Sequence, residues 1–251
     1  MLGDDSFNRL GDARHPTLAV AARAAREAFS LPFIILLASF AGFGSVARAS
    51  GFSFELAIVA TAGIWGLPGQ IALAEQYGAG AGTAAVILAV SLANARFLLL
   101  VMSFMPLMRV GLNHRGLEFA SAQLLSTFSW AAARNAFPTL SDPLRPIFFM
   151  VYGLVCISSA LIGTAAGYAG VTALPHSVVL GLLFLNPLFF ALVFTDSRER
   201  HVIYAVLLGA VAGPVLHGFS PDWGEAAGGL LAGTAGFYLT RSPRMRDGGA
   251  P

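Results

Sequence analysis

The sequence predicts an all-α integral membrane protein, a polytopic helical bundle of seven or eight spans with discontinuous, proline-broken helices. Charged residues make up 11% of its 251 positions and hydrophobic residues 56%, with a mean hydropathy of +0.72, a balance foreign to water-soluble domains. Apolar runs of about 20 residues, enough to cross a hydrocarbon core of ~30 Å, follow one another almost end to end. Pro32, Pro68, Pro106, Pro187 and Pro214 lie within or at the edges of those runs. Each removes an N–H and leaves a carbonyl to find another partner.

Taken in order, residues 1–27 read as a polar N-terminal tail, in which Arg9, Arg14, Arg23 and Arg26 stand against Asp4, Asp5, Asp12 and Glu27. Residues 28–240 read as the transmembrane domain and 241–251 as a short polar C-terminal tail. The first apolar run, 28–47, is followed by Ala47-Arg48-Ala49, which matches the small-x-small pattern of a signal-peptidase site. The run is longer than a signal-peptide core, and Arg48 is unusual at a cleavage site, so it reads as a retained first span. In the second run, 55–74, Trp65-Gly66-Leu67-Pro68-Gly69-Gln70 combines helix-breaking residues with a polar one, so the helix is expected to kink or unwind there. Exposed N–H and C=O groups at such half-helix ends are common binding elements in secondary transporters.

The third run, 81–107, holds Asn94 and Arg96 near its middle. An arginine at the centre of a spanning helix costs about 2.5–3.5 kcal/mol on insertion scales, so one that is kept is expected to meet a partner or a substrate. Glu75, Glu118 and Asp196 are candidate counter-ions. Ser91, three residues before Asn94, can share its helical face. Segment 118–136 is less apolar, with Glu118, Gln123, Ser126, Thr127, Ser129 and Arg134; it lines a protein interior, re-enters without crossing, or lies along the interface. Further runs follow at 146–168, 175–195, 202–219 and 224–240, with Asn186 before Pro187 either a second-site ligand or a satisfied kink, the kink being favoured.

Arg241, Arg244 and Arg246 put the C-terminus in the cytoplasm, and alternation then places Arg198, Arg200, Arg134 and Arg145 on the same side. With eight spans the N-terminus is also cytoplasmic, but Arg109 and Arg115 fall outside. With seven, those two move inside and the N-terminus moves out.

Composition also excludes several functions. The chain contains no lysine, so it has neither a Walker A motif nor a lysine Schiff base. Cys156 is the single cysteine, which rules out an intrachain disulfide. The pI of about 9.0 comes from scattered arginines and points to bilayer orientation, with no nucleic acid as partner. His114, His176, His201 and His217 lie at span ends without metal-ligand spacing. No Gly-x-Ser-x-Gly or acidic pair is placed for hydrolysis. The chain is therefore expected not to be an enzyme and to need no cofactor.

The order of Gly42-Phe43-Gly44, then the glycines and glutamine from Gly66 to Gln70, then Asn94-Ala95-Arg96-Phe97-Leu98-Leu99 resembles the AzlC-type branched-chain amino-acid permeases. These are the large subunits of a bacterial two-component exporter. The resemblance runs from about residue 27 to residue 241. It implies a multi-pass protein of the bacterial cytoplasmic (inner) membrane with a small hydrophobic AzlD-type membrane subunit as partner. Relatives carry Arg-His in the third span, where Phe97 here replaces the histidine. Their Thr-Asp-Glu in the fourth segment aligns with Ser126-Thr127-Phe128, so the acidic pair is missing.

A zwitterionic solute in a low-dielectric cavity needs a cation or helix N-terminus for its carboxylate, acceptors for its ammonium and an apolar pocket for its side chain. Arg96, Asn94, Gln70 and Ser91, with the Gly66–Gly69 break, can supply the polar part. Trp65, Phe40, Phe43 and Phe97 can supply the apolar part. Three functions follow as alternatives: an exporter subunit for branched-chain or other hydrophobic amino acids working by alternating access, a permease of the same architecture for a different small solute, or a non-transporting membrane scaffold built on close helix packing.

Overall fold

The computed structural model describes residues 16–108, 115–170, 175–195, 200–219 and 224–240. These are predominantly helical, with no strand among them. The chain divides into two compact units, Met1–Pro187 and Leu188–Pro251.

In the first unit, α1 (Pro16–Ala28) falls in the segment read as a polar tail. It is amphipathic, burying Val20, Ala24 and Ala28 at four-residue spacing against a long helix, α8 (Arg145–Gly170). Arg23 on its polar side pairs with Glu27 at 2.7 Å and donates to Thr139 Oγ1 at 3.2 Å.

The closest packing joins α8 to α2 (Leu31–Ala49). Small residues make it possible. A Cβ on Gly163 or Gly167 would run into the backbone carbonyls of Leu37 and Ala41, and one on Gly44 into the carbonyl of Thr164. Two helices whose backbones touch in this way gain dispersion energy and short polar contacts, the main attractions between helices in lipid. Ser45 Oγ donates to the Gly167 carbonyl at 3.1 Å, Ser159 Oγ to Phe33 at 2.7 Å and Arg48 Nη1 to Tyr168 at 2.9 Å. Gly42 leaves room for Leu183 of α9 (His176–Thr195).

By length and composition, Leu31–Ala49 and Asp142–Gly170 can each cross a membrane. α5 (Thr83–Met108) passes as a third only as a bent pair, turning by 60° between Thr83–Ala95 and Leu100–Met108. That bend precedes Met102, whose carbonyl Pro106 leaves without its helical partner, so the proline does not account for it. Two of the runs anticipated as spans are divided. Residues 55–74 form α3 (Phe54–Ile64) and α4 (Leu67–Gly78), 11 and 12 residues long. Each is about 17 Å in length, too short to cross alone. Residues 118–136 belong to α6 (Arg115–Gln123) and α7 (Thr127–Ala136), separated at Leu124–Ser126. The prolines break less than anticipated: Pro32 and Pro68 sit in the first turns of α2 and α4, where a missing N–H is harmless, while Pro106 and Pro214 lie inside helices.

α10 (Arg200–Phe219) and α11 (Gly224–Thr240) follow, and in the second unit they pack closely on each other. A Cβ on Gly228 would come within 3.1 Å of Gly213 Cα, and one on Gly236 within 2.8 Å of the Ala205 nitrogen.

Candidate functional site

The α3–α4 junction is built from residues that refuse to continue a helix. α3 starts on Ser53, whose hydroxyl accepts the Leu56 N–H at 3.1 Å, and ends at Ile64. Trp65 then adopts a left-handed conformation (φ 46°, ψ 38°), and Gly66 is extended before Leu67 and Pro68 open α4. Trp65 is the single non-glycine residue with positive φ among the described residues; the conformation costs an L-residue roughly 1–2 kcal/mol. Its indole stacks on Phe40 of α2, with centroids 5.8 Å apart, and the residue is buried.

A helix that stops leaves its last carbonyls to satisfy. Gln123 at the end of α6 does this for α3, donating Nε2 to Ala62 O at 2.8 Å and Gly63 O at 3.0 Å. Its role as a cap could not be read from the sequence, since it acts across about sixty positions. Replacing Gln123 with alanine is expected to destabilise the protein by about 0.5–1.5 kcal/mol, the net worth of an exposed hydrogen bond; a lower thermal midpoint in detergent checks this, with unchanged monodispersity. The two half-helices are also tied to α8. Gln70 Nε2 donates to Thr61 Oγ1 at 3.0 Å, Thr61 Oγ1 meets Thr164 Oγ1 at 2.9 Å, and Thr61 donates to Ala57 O when its own hydroxyl is the donor, at 3.0 Å. All three side chains are fully buried.

From the other side, α5 presents Asn94 to the junction. A Cβ on Gly66 would lie 2.6 Å from Asn94 Oδ1 and 3.0 Å from the Phe97 ring, and a Cβ on Gly69 would overlap the Asn94 carboxamide. The two glycines are thus the seat of that side chain. Around this seat three buried polar atoms have no hydrogen-bond partner: Trp65 Nε1, Gln70 Oε1 and Asn94 Oδ1. An unpartnered buried group costs about 1–3 kcal/mol, and native structures keep few of them without reason. One donor and two acceptors suit a ligand that carries both acceptor and donor groups.

The structure therefore brings Trp65, Gly66, Gly69, Gln70 and Asn94 together. Ser91 is exposed on α5. Arg96 belongs to the α5 helix, but its side chain lies outside the described residues, as do Asp196, the side chains of Asn186 and Pro187, those of His176, His201 and His217, and the whole of Arg109 and His114. Glu75 is exposed on α4. No cluster of metal-ligating side chains occurs among the described residues.

The Ser126-Thr127-Phe128 segment is used for folding. Ser126 caps α7, its hydroxyl accepting the Ser129 N–H at 3.1 Å while Ser129 Oγ accepts the Ser126 N–H at 2.8 Å. This reciprocal pair is a capping box with serine in place of the usual acidic or amide residue. Phe128 is buried.

A family model described as "AzlC protein" matches residues 32–174, more than half of the chain. The match runs from α2 to just beyond α8 and contains the α3–α4 junction and Asn94. No curated protein and no solved structure matches the chain.

Proposed function

The chain belongs to the AzlC protein family, a family of membrane transport proteins, and on that premise we propose that it exports branched-chain or other hydrophobic amino acids by alternating access, with no ATPase of its own. In this reading it is the large subunit in a bacterial cytoplasmic membrane, beside a small hydrophobic AzlD-type subunit. The observation that carries the proposal is the set of unpartnered atoms around the α3–α4 junction. The amino acid's ammonium donates to Asn94 Oδ1 and Gln70 Oε1. Its carboxylate accepts from Trp65 Nε1 and from the Arg96 guanidinium, and its side chain rests on the aromatic surface of Phe40 and Phe97. Gly66 and Gly69 let the ligand and Asn94 approach the backbone, and Ser91 borders the site on α5. Half-helix ends at a junction of this kind bind charged solutes in other transporters and can shift without unravelling a whole span.

Phe97 and Ser126-Thr127-Phe128, in place of the histidine and acidic pair of the family pattern, favour a second reading: a permease of the same architecture for a different small solute. Counterflow in proteoliposomes separates the two. Labelled leucine, isoleucine, valine or methionine is expected to accumulate against an unlabelled gradient, with the small subunit present, and Arg96→Gln is expected to lower the initial rate at least about tenfold while the protein still inserts. If none of the four is carried with or without the small subunit, the amino-acid reading fails; if R96Q transports normally, the arginine leaves the site.

A further inference from the structure

Away from the α3–α4 junction, the end of α5, α7 and the start of α8 line an open cavity of about 430 Å³. Its walls are mostly apolar, with Phe104, Leu107 and Trp130, but Arg134 and Arg145 both line it. The two guanidiniums are held in similar ways. Arg134 lies over the Trp130 ring at 5.4 Å and Arg145 over Phe137 at 5.7 Å. Stacking fixes the plane of a guanidinium while leaving its edge N–H groups free to bind an anion.

The charges are unevenly matched. Asp142 pairs with Arg145 Nη1 at 2.5 Å, but Arg145 Nε is buried without a partner. Arg134 has no carboxylate partner among the described residues. Arg145 is also the first residue of α8, where the helix dipole opposes a cation. An anion in the cavity would relieve that opposition, occupy Nε and complete the coordination of Arg134.

We propose that this cavity binds a phosphate group, with the headgroup of an anionic phospholipid as its source. The apolar walls favour a lipid over free phosphate, because Leu107 is 53% exposed and offers the first contact for an acyl chain. The depth agrees. The segment Asp142–Gly170 is long and apolar enough to span by length and composition, and the ends of such a span, near which Arg145 lies, are where arginine and tryptophan are favoured at headgroup level.

The test uses the full chain purified in a neutral maltoside detergent and titrated with dioctanoyl phosphatidylglycerol, dioctanoyl phosphatidylcholine or inorganic phosphate, followed by native mass spectrometry and thermal shift. Phosphatidylglycerol is expected to bind at least about fivefold more tightly than phosphatidylcholine, and Arg134→Gln to lose about fivefold, the value of one arginine near a lipid surface. Arg134→Lys should recover part of that loss. Inorganic phosphate that displaces the lipid at equal concentration would keep the phosphate site and move its source to solution. Equal binding of the two lipids by the unmodified protein, or unchanged affinity in a folded R134Q, overturns the proposal. The comparison of lipids needs no variant, so misfolding of R134Q does not block it.

Discussion

Gly167→Ala is expected to lower the thermal midpoint sharply, and Gly167→Leu to leave little monodisperse protein. The cause is steric. A Cβ at this position overlaps the Ala41 carbonyl of α2, and a backbone atom cannot swing aside as a side-chain tip can. The helices must separate, losing dispersion contacts along their length and the Ser45 to Gly167 hydrogen bond. Overpacking alone costs about 1–3 kcal/mol, and loss of the shared surface takes the leucine variant past the ~4–5 kcal/mol that marks severe destabilisation. Gly170→Ala provides the control on the same helix, because a Cβ there meets open space. Equal midpoints for the two alanine variants, measured by fluorescence-detected size exclusion after heating, would refute the packing argument.

Asn94→Leu is expected to lower amino-acid flux by about ten- to 150-fold while leaving the protein folded. Leucine keeps the volume that sits against Gly66 and Gly69 but removes the carboxamide. Its Oδ1 makes no hydrogen bond within the protein, so the loss of that atom leaves no protein donor stranded. In the transport reading the same oxygen meets a charged ammonium, a bond worth about 1.5–3 kcal/mol, or roughly ten- to 150-fold in rate if it is made when the solute is committed. Initial counterflow rates, normalised to monodisperse protein, decide. Wild-type rates in a folded N94L would place the solute path elsewhere.

The α3–α4 junction is legible in the sequence because its cause is local: Gly66 and Pro68 act on their own backbone. The neighbourhood of Asn94 is harder to read, since what seats its carboxamide is the absence of two side chains on another helix. Gln123 as the cap of α3 carries no local signal. Gly163 and Gly167, by contrast, form a Gly-x-x-x-Gly pattern whose meaning for close approach is available from spacing alone, although its partner on α2 is not. The division of residues 118–136 follows from Ser126 and Ser129, which favour starting a helix over continuing one.

Trp65 and Gly66 belong to neither flanking helix, and this separates the mechanical properties of the first unit. Where α2 and α8 touch backbone to backbone, any relative displacement compresses atoms and meets a steep restoring force. At the α3–α4 joint, rotation is resisted by side-chain contacts, the Gln70 to Thr61 hydrogen bond and the indole stack on Phe40, and the left-handed tryptophan already stores part of the energy needed to leave its present geometry. The backbone-to-backbone pair therefore serves as the frame, and the joint, held through side chains, is the more compliant of the two.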